Sequence, residues 1–282
     1  MTEDYVSLYT HSPFAQQDYT AILSLAILFV SRMFPIIALC PFYGGKVLPH
    51  PVKVTFALSV FVIFFPQLST ITLTPLVFNQ TLILLSIKEI FVGILMGFMM
   101  SIPFVVVQTT GMVIDHQRGG ASLMVNDPTI QNQSSPLGTF FNLILIYIFF
   151  TIDGPFVVLE IISQSYDILP PDRFLNASFF DIHSKFWADV MHIMGKVMII
   201  STQLGAPALI MILMTDVFLG IANRLAPQVQ ITFLGMPLKS LLALAIIFFG
   251  WELLISQMQV ESYKWINYLR EMVKLFVPAP AT

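Results

Sequence analysis

Long apolar runs alternate with short polar segments along most of this chain. The runs without a charged residue include 54–87, 90–114 and 197–215. A membrane-spanning helix needs about 20 mostly apolar residues, so several of these runs are long enough to cross a bilayer. The pattern therefore predicts an all-α, polytopic membrane-type protein.

Most of the predicted helices are interrupted. Prolines or glycines fall inside nearly every apolar run, and several runs also carry ionisable residues: Arg32, Lys88, Glu89, Asp153, Glu160 and Glu252. Ionisable side chains at membrane depth face protein or a water-filled cavity rather than lipid. Irregular backbone survives there only where protein surrounds it. We therefore expect kinked or broken helices in a chain that is wrapped by partner proteins.

The longest polar interruption, residues 111–136, lies between two of the apolar runs. It is rich in glycine, and most connections between helices are shorter. Long ordered loops of this kind are often functional. Its apolar residues, among them Leu123, Met124 and Val125, set it apart from a simple linker. The segment is therefore predicted to be a central loop with a lid-like or plug-like role, not a linker.

The final segment, residues 261–282, has amphipathic spacing. Apolar positions such as Trp265, Leu269 and Met272 alternate with basic residues in a helical pattern. An amphipathic helix of this composition is typical of a membrane interface. We expect an interfacial or partner-facing helix here.

The composition supports a membrane protein and excludes several classes. Hydrophobic residues make up 56% of the 282 residues and charged residues only 10%, against about 25% charged in soluble domains. There is no basic patch, so no nucleic-acid partner is expected. With one cysteine, Cys40, neither an intrachain disulfide nor a thiolate metal cluster can form, and a buried, unreactive thiol is expected. No cleavable signal peptide is evident, so an internal segment is expected to direct insertion.

Catalytic motifs are missing from the sequence. The five histidines have no metal-binding spacing, and neither a nucleophile elbow nor a phosphate-binding loop occurs. We therefore expect no enzyme activity, no metal site and no cofactor.

Asp115 and Arg118 allow two interpretations. They could form the ion or proton site of a stand-alone secondary transporter, whose broken helices meet at the membrane midplane. They could equally be an ion pair at i, i+3 where a loop begins, and local chemistry favours this second interpretation. The chain also shows no internal repeat of the kind many transporters contain.

Lys88 and Glu89 form a charged pair within an apolar run. Adjacent residues do not face each other on a helix, so each is expected to pair with another segment or another chain. Gly93 and Gly97 follow at the spacing that lets two helices pack closely. These four residues are interpreted as structural contacts.

Two further patterns concern surfaces. Asn223 to Gln228 reads as a solvated turn with a basic anchor, although nearby glycines and prolines suggest a fixed shape. Methionines recur at helical spacing between Met191 and Met214. Core filling is the preferred interpretation, and an adaptable binding surface is the alternative.

Taken in order, these stretches resemble one family over about residues 15–276. The matching pieces are Lys88-Glu89 with Gly93 and Gly97, Pro103-Phe104, Gly111-x-x-x-Asp115-x-Gln117-Arg118-Gly119, Asn126-Asp127-Pro128, Asp153-Gly154, Ser165-Tyr166, Asn223-Arg224-x-Ala226-Pro227-Gln228 and Gly235-x-Pro237. The family is the export-gate T subunit of bacterial type III secretion, the SctT/FliR family. The D-x-Q-R-G form resembles the injectisome branch.

The resemblance implies a single all-helical domain over 1–282. One T copy would assemble with several copies of the R and S subunits, and with other export apparatus proteins, into an export gate at the bacterial inner membrane. Unfolded substrate proteins would pass through its opened centre. In the closed channel, a loop of the T subunit acts as the plug.

Residue roles follow from the same resemblance. The plug-loop residues would be Gly111, Asp115, Gln117, Arg118, Gly119, Gly120, Leu123, Met124, Val125, Asp127 and Pro128. Structural or subunit contacts would come from Lys88, Glu89, Gly93, Gly97, Asn223, Arg224, Pro227, Gln228, Gly235 and Pro237.

Overall fold

A computed structural model gives the fold of residues 19–45, 47–72, 76, 78–119, 135–181, 183–225 and 231–276. Within these ranges every regular element is helical, which confirms the predicted all-α class. The α-helices are α1 (Tyr19–Leu39), α2 (His50–Ile71), α3 (Gln80–Gln117), α4 (Pro136–Thr151), α5 (Gly154–Ile168), α6 (Lys185–Leu225), α7 (Ile231–Phe249) and α8 (Trp251–Val273). Short 3-10 turns occupy Pro41–Tyr43 and Ala177–Phe180.

Four of these helices are long and apolar enough to span a membrane. They are α1, α2, α3 and α6, and the count rises to six if α4 with α5, and α7 with α8, each form one broken span. The segments Gly235–Phe249 and Trp251–Val273 meet at a bend of 66°. The chain is therefore a multi-pass membrane protein.

Five of the described prolines lie inside α-helices instead of ending them. Pro66 and Pro103, for example, stand within α2 and α3, which continue unbroken past them. Each costs one backbone hydrogen bond, and membrane helices tolerate this because neighbouring groups satisfy the freed carbonyl. The true breaks fall at Asp153, which has the left-handed φ of 56°, and at Gly250.

The described residues form two compact units that share long helices. Unit 1 contains the residues up to Ser101, those from Asp153 to Met191 and those from Trp265 onward, and unit 2 contains the rest. The helices α3, α6 and α8 each contribute to both units. A division within helices leaves no linker in the sequence that would mark it.

The core of unit 1 forms around Phe29 of α1. Its ring lies 5.6 Å from those of Phe61, Phe64 and Tyr166, which brings α1, α2 and α5 together. Phe29 and Tyr166 are fully buried. These four aromatic side chains exclude water from the interior that holds the charged residues of unit 1.

The C-terminal segment packs inside unit 1. Leu269, Met272 and Phe276 are buried, and the ring of Phe276 lies 5.4 Å from that of Phe186. The indole N–H of Trp265 donates to the Met99 carbonyl oxygen over 3.0 Å. The sequence predicted a helix facing the membrane surface or a partner, but aromatic residues of the same chain cover its apolar side.

Candidate functional site

A cluster of polar side chains in unit 2 lies where α3 ends and α4 begins. Asp115 is 1% exposed, and its Oδ1 accepts hydrogen bonds from the guanidinium of Arg118 (Nε to Oδ1, 2.8 Å). Its Oδ2 accepts from the Ser135 hydroxyl and from the Leu137 backbone N–H, the latter over 3.0 Å. One carboxylate thus joins the last turn of α3 to the first turn of α4. We call these four residues the loop clasp.

The loop clasp completes the first turn of α4. The first N–H groups of a helix have no partner within it. Pro136 has no N–H, Leu137 donates to Asp115, Gly138 donates to the Ser135 hydroxyl over 2.9 Å, and Thr139 donates to the Ser135 carbonyl. A negative charge at a helix N-terminus is also favourable. The start of α4 is therefore satisfied only while Asp115 lies beside it.

Arg118 extends the loop clasp to a third helix. Besides binding Asp115, its Nη1 donates to the hydroxyl of Ser240 on α7 over 3.1 Å. The next residue, Gly119, has a φ of +92°, a left-handed conformation that glycine adopts without strain. The Arg118 side chain is therefore held by Asp115 and by Ser240 at the point where the chain leaves α3.

Two glycines allow α3 and α4 to touch at the loop clasp. A Cβ on Gly111 would collide with the backbone of Gly138, and a Cβ on Gly138 would lie 2.7 Å from the Gln108 carbonyl oxygen. Only glycine at both positions permits this approach. On the other side of α3, the Thr110 hydroxyl donates to the Ser201 carbonyl of α6 over 3.0 Å.

The predicted loop is shorter at its N-terminal end than the sequence suggested. Residues 111–117 continue α3, with Arg118 N donating to the Ile114 carbonyl over 3.0 Å, because this stretch still has apolar positions on the buried side. Gly111 and Asp115 are therefore helical and buried, and Gln117 is helical and exposed. The remaining predicted plug residues lie outside the described residues: Gly120, Leu123, Met124, Val125, Asp127 and Pro128.

A second cluster, in unit 1, consists of buried charged residues. Arg32 of α1 binds both carboxylate oxygens of Glu89 on α3, with Nη2 to Oε1 at 2.9 Å, and both residues are 0% exposed. The guanidinium also lies 3.9 Å from the centre of the Tyr166 ring. Bidentate pairs of this kind are among the strong hydrogen-bonded ion pairs in proteins. Arg32, Lys88 and Glu89 together are called the buried charge cluster.

The buried charge cluster also holds the end of α5. Arg32 donates to the Leu169 carbonyl over 2.9 Å, and Lys88 donates to the carbonyls of Pro170 and Pro171 over 3.3 and 3.2 Å. The last carbonyls of a helix lack partners within it and favour cations. Two buried cations therefore neutralise one carboxylate and cap one helix end.

The prediction for Lys88 and Glu89 was partly wrong. We expected neighbours in sequence not to pair, yet the Lys88 ammonium contacts the Glu89 carboxylate directly. The long lysine side chain bends back toward its neighbour, and its ammonium also donates to the buried Pro170 and Pro171 carbonyls. Arg32, the main partner of Glu89, was not predicted, although it is the one charged residue in the apolar run of α1.

The remaining predicted contact residues are in close contact, exposed, or outside the described residues. Gly93 and Gly97 pack against α1, where a Cβ on Gly97 would lie 3.0 Å from the Ile36 Cα. Asn223 and Arg224 are exposed at the end of α6. On α7, Gly235 is buried, and a Cβ on it would lie 3.0 Å from Leu219, whereas Pro237 is exposed. Pro227 and Gln228 lie outside the described residues.

Comparison with known proteins relates these features to one family. The family model described as bacterial export proteins, family 1, matches residues 23–264. Yop proteins translocation protein T of Yersinia pestis is 31% identical over 199 residues, which cover 70% of this chain and 73% of that protein. Secretion system apparatus protein SsaT of Salmonella typhimurium is 30% identical over 185 residues, 65% of this chain and 69% of that protein. Flagellar biosynthetic protein FliR of Pectobacterium carotovorum is 26% identical over 207 residues, 73% of this chain and 76% of that protein.

Proposed function

The chain belongs to the bacterial export proteins, family 1, as a component of a type III protein export apparatus, and from this premise we propose that it forms and closes an export channel. The channel lies in the bacterial inner membrane and conducts unfolded proteins. The loop between α3 and α4 is its plug at rest. The observation that carries this proposal is the loop clasp, which holds both ends of that loop at one buried point.

The chemistry of the loop and of its base supports a plug. In the sequence, apolar residues such as Leu123 and Met124 lie between the Gly119-Gly120 doublet and Asp127-Pro128, a composition suited to filling a narrow pore. A plug must return to one position after each opening. A base fixed by an ion pair and a completed helix turn provides that position.

Exposed apolar surface supports assembly with partner subunits. Only 22% of the most apolar stretch of α6 is buried, and Met191, Met198 and Met214 are all exposed. These methionines were expected mainly to fill a core. Their exposure favours the adaptable surface instead, since methionine packs against varied partners. We propose that R and S subunits cover this surface, with one copy of the present chain in each gate.

The injectisome branch is the better assignment within the family. The injectisome feature is the D-x-Q-R-G pattern, and in this chain its Asp115 and Arg118 form the loop clasp.

A stand-alone transporter is not favoured. Its proposed site would need the Asp115 carboxylate to face a substrate or a proton path. Arg118, Ser135 and the Leu137 N–H already occupy both oxygens of that carboxylate. The geometry matches the base of a loop.

The test is replacement of the loop in an assembled complex. Residues 120–127 are replaced by a short Gly/Ser linker, which leaves Gly119 and the loop clasp in place. Single complexes inserted in planar bilayers are then compared by their KCl conductance. We expect the replaced complex to conduct at rest while the parent is closed, and secretion in cells to continue, since a plug is a barrier and not a motor. An assembled replacement complex as tight as the parent contradicts the proposal.

A further inference from the structure

The loop clasp contains a residue whose position suggests a role in sealing as well as in folding. Asp115 is the only member that touches both helix ends: Arg118 approaches its Oδ1 from α3, and Ser135 with Leu137 approaches its Oδ2 from α4. The Asp115 and Arg118 side chains are 2% and 10% exposed. Charge-assisted hydrogen bonds at such a site are strong because water competes little for them.

We propose that Asp115 is the positioning residue of the channel seal. It holds the ends of α3 and α4 together, and Arg118 ties this point to Ser240 on α7. The seal then depends on one carboxylate that is buried between the two helix ends. This inference rests on the proposed function, in which the connection between α3 and α4 closes the channel.

The first turn of α4 explains why separation of the two helices would be all-or-none. If α4 moves away from Asp115, the Leu137 N–H loses its acceptor and the carboxylate loses two of its donors at the same time. Each buried polar group left unpaired carries a desolvation cost. Partial opening is therefore unfavourable, and the base of the loop is either closed or fully released.

Arg118 connects the loop clasp to α7. Its guanidinium binds the Asp115 carboxylate and the Ser240 hydroxyl at once, and a planar guanidinium suits two fixed acceptors. A shift of α7 along its axis would draw Arg118 away from Asp115. Arg118→Lys keeps the charge, but a lysine ammonium lacks the planar fork that lets the guanidinium bind Asp115 and Ser240 together.

The experiment measures the accessibility of the clasp and the leak in the same complexes. Leu137 is 8% exposed, so a Leu137→Cys variant is expected to resist maleimide until the clasp opens. The natural Cys40 is buried and contributes no background label. KCl conductance of single complexes in planar bilayers gives the leak for each assembled channel, independent of yield.

Asp115→Asn keeps the shape and removes the charge. We expect it to raise both the labelling of Leu137→Cys and the KCl conductance several-fold per assembled complex. Arg118→Gln is expected to do the same, and the double variant Asp115→Asn with Arg118→Gln to leak no more than the worse single variant, because the two residues act as one pair. Arg118→Lys keeps the charge and is therefore expected to leak less than Arg118→Gln but more than the parent.

The matched control is another i, i+3 ion pair that is exposed, Lys264 with Glu261. Glu261→Gln is expected to leave labelling and conductance at the parent level. If Asp115→Asn lowers the yield of complex but the assembled channels stay unlabelled and tight, Asp115 is merely structural and the inference is overturned.

The replaced-loop complex separates this inference from the proposed function. In that background Asp115→Asn is expected to raise labelling but to add no conductance, because the plug is already gone. A replaced-loop complex that is tight, together with labelling that rises in Asp115→Asn, overturns the plug while the clasp stands. A replaced-loop complex that leaks, together with a tight Asp115→Asn complex, overturns the role of Asp115 while the plug stands.

Discussion

At the residue scale, Glu89 is the side chain on which the buried charge cluster depends. It accepts from both Arg32 and Lys88, so removing its charge leaves two buried cations without their anion. Removing one partner of a buried pair costs about 3–5 kcal/mol, because the remaining charge stays desolvated. We expect Glu89→Gln, and more severely Glu89→Lys, to lower the yield of assembled complex and its melting temperature in detergent.

Two other variants set the scale for that result. Lys88→Met is expected to be milder, because Arg32 still neutralises Glu89. Arg270→Gln breaks the exposed pair with Glu160, and exposed pairs contribute only about 0–1 kcal/mol. If Glu89→Lys assembles at the parent level and only secretion stops, the cluster has a role in transport and the structural assignment is wrong.

Cys40 provides a second prediction at this scale. The side chain is fully buried beside the Gly97 carbonyl, and burial raises the pKa of the thiol. Because the thiolate is the reactive form, raising the pH from 7 to about 9 is expected to leave alkylation of the folded complex slow. The same change is expected to accelerate alkylation in denaturant, where the pKa returns to its ordinary value. Rapid labelling of the folded complex at pH 9 contradicts this environment for Cys40.

Residue pairs differ in how far the sequence could predict them. Asp115 and Arg118 are one helical turn apart, so their ion pair could be inferred from spacing alone. Arg32 and Glu89 lie 57 positions apart, and no local pattern says which of several buried charges they will meet. A lone charge in an apolar helix shows that a partner exists, but the tertiary fold decides which residue it is.

At the element scale, glycines set how closely the helices approach. A Cβ on Gly93 would collide with the Arg32 carbonyl, and a Cβ on Gly111 with the backbone of Gly138. We expect Gly93→Ala and Gly111→Ala to lower assembly, because backbone atoms cannot move aside as a flexible side chain can. The control is Gly195→Ala in α6, where no atom of the described residues lies within 4 Å of the added Cβ and alanine favours helix by up to about 1 kcal/mol. Equal yields for all three variants would show that these glycines do not limit the packing.

Helix boundaries were harder to predict than helices. The apolar runs gave the existence of α1, α3 and α6, but proline was expected to break helices that in fact continue through it. The polar, glycine-rich composition of 111–136 placed the start of the central loop at Gly111, whereas α3 continues to Gln117. Proline removes a donor without preventing a helix whose neighbours satisfy the freed carbonyl, and those neighbours are not readable from one sequence.

At the scale of the whole molecule, the division into two units could not be predicted from the sequence. Sequence marks domain boundaries through linkers of changed composition, and here the divisions fall inside α3, α6 and α8. The amphipathic tail shows the same limit. Its spacing indicated one apolar side, but the choice between membrane, partner and the chain itself depended on aromatic residues far away in the sequence, such as Phe186.

The largest prediction concerns the chain by itself. Long helices with exposed apolar sides, α2 and α6 above all, have 28% and 22% of their most apolar stretches buried. Lipid can cover such surfaces, but the exposed side of α6 ends in Asn223 and Arg224 and carries the Lys239–Asp216 ion pair between α6 and α7. Ionisable side chains at membrane depth pair with protein groups and not with lipid hydrocarbon, so this surface favours a protein partner.

We therefore expect the chain expressed alone to run in mild detergent as a mixture of sizes and to be cut readily by protease. Expressed with the R and S subunits, it is expected to give one discrete complex in which the same sites are protected. Arg224→Glu and Lys239→Glu should weaken that complex more than Lys274→Glu, which changes an exposed residue of α8's C-terminal side. Size-exclusion chromatography with limited proteolysis measures both properties. A single chain that is monodisperse and fully protease-resistant without R and S would refute the need for partners.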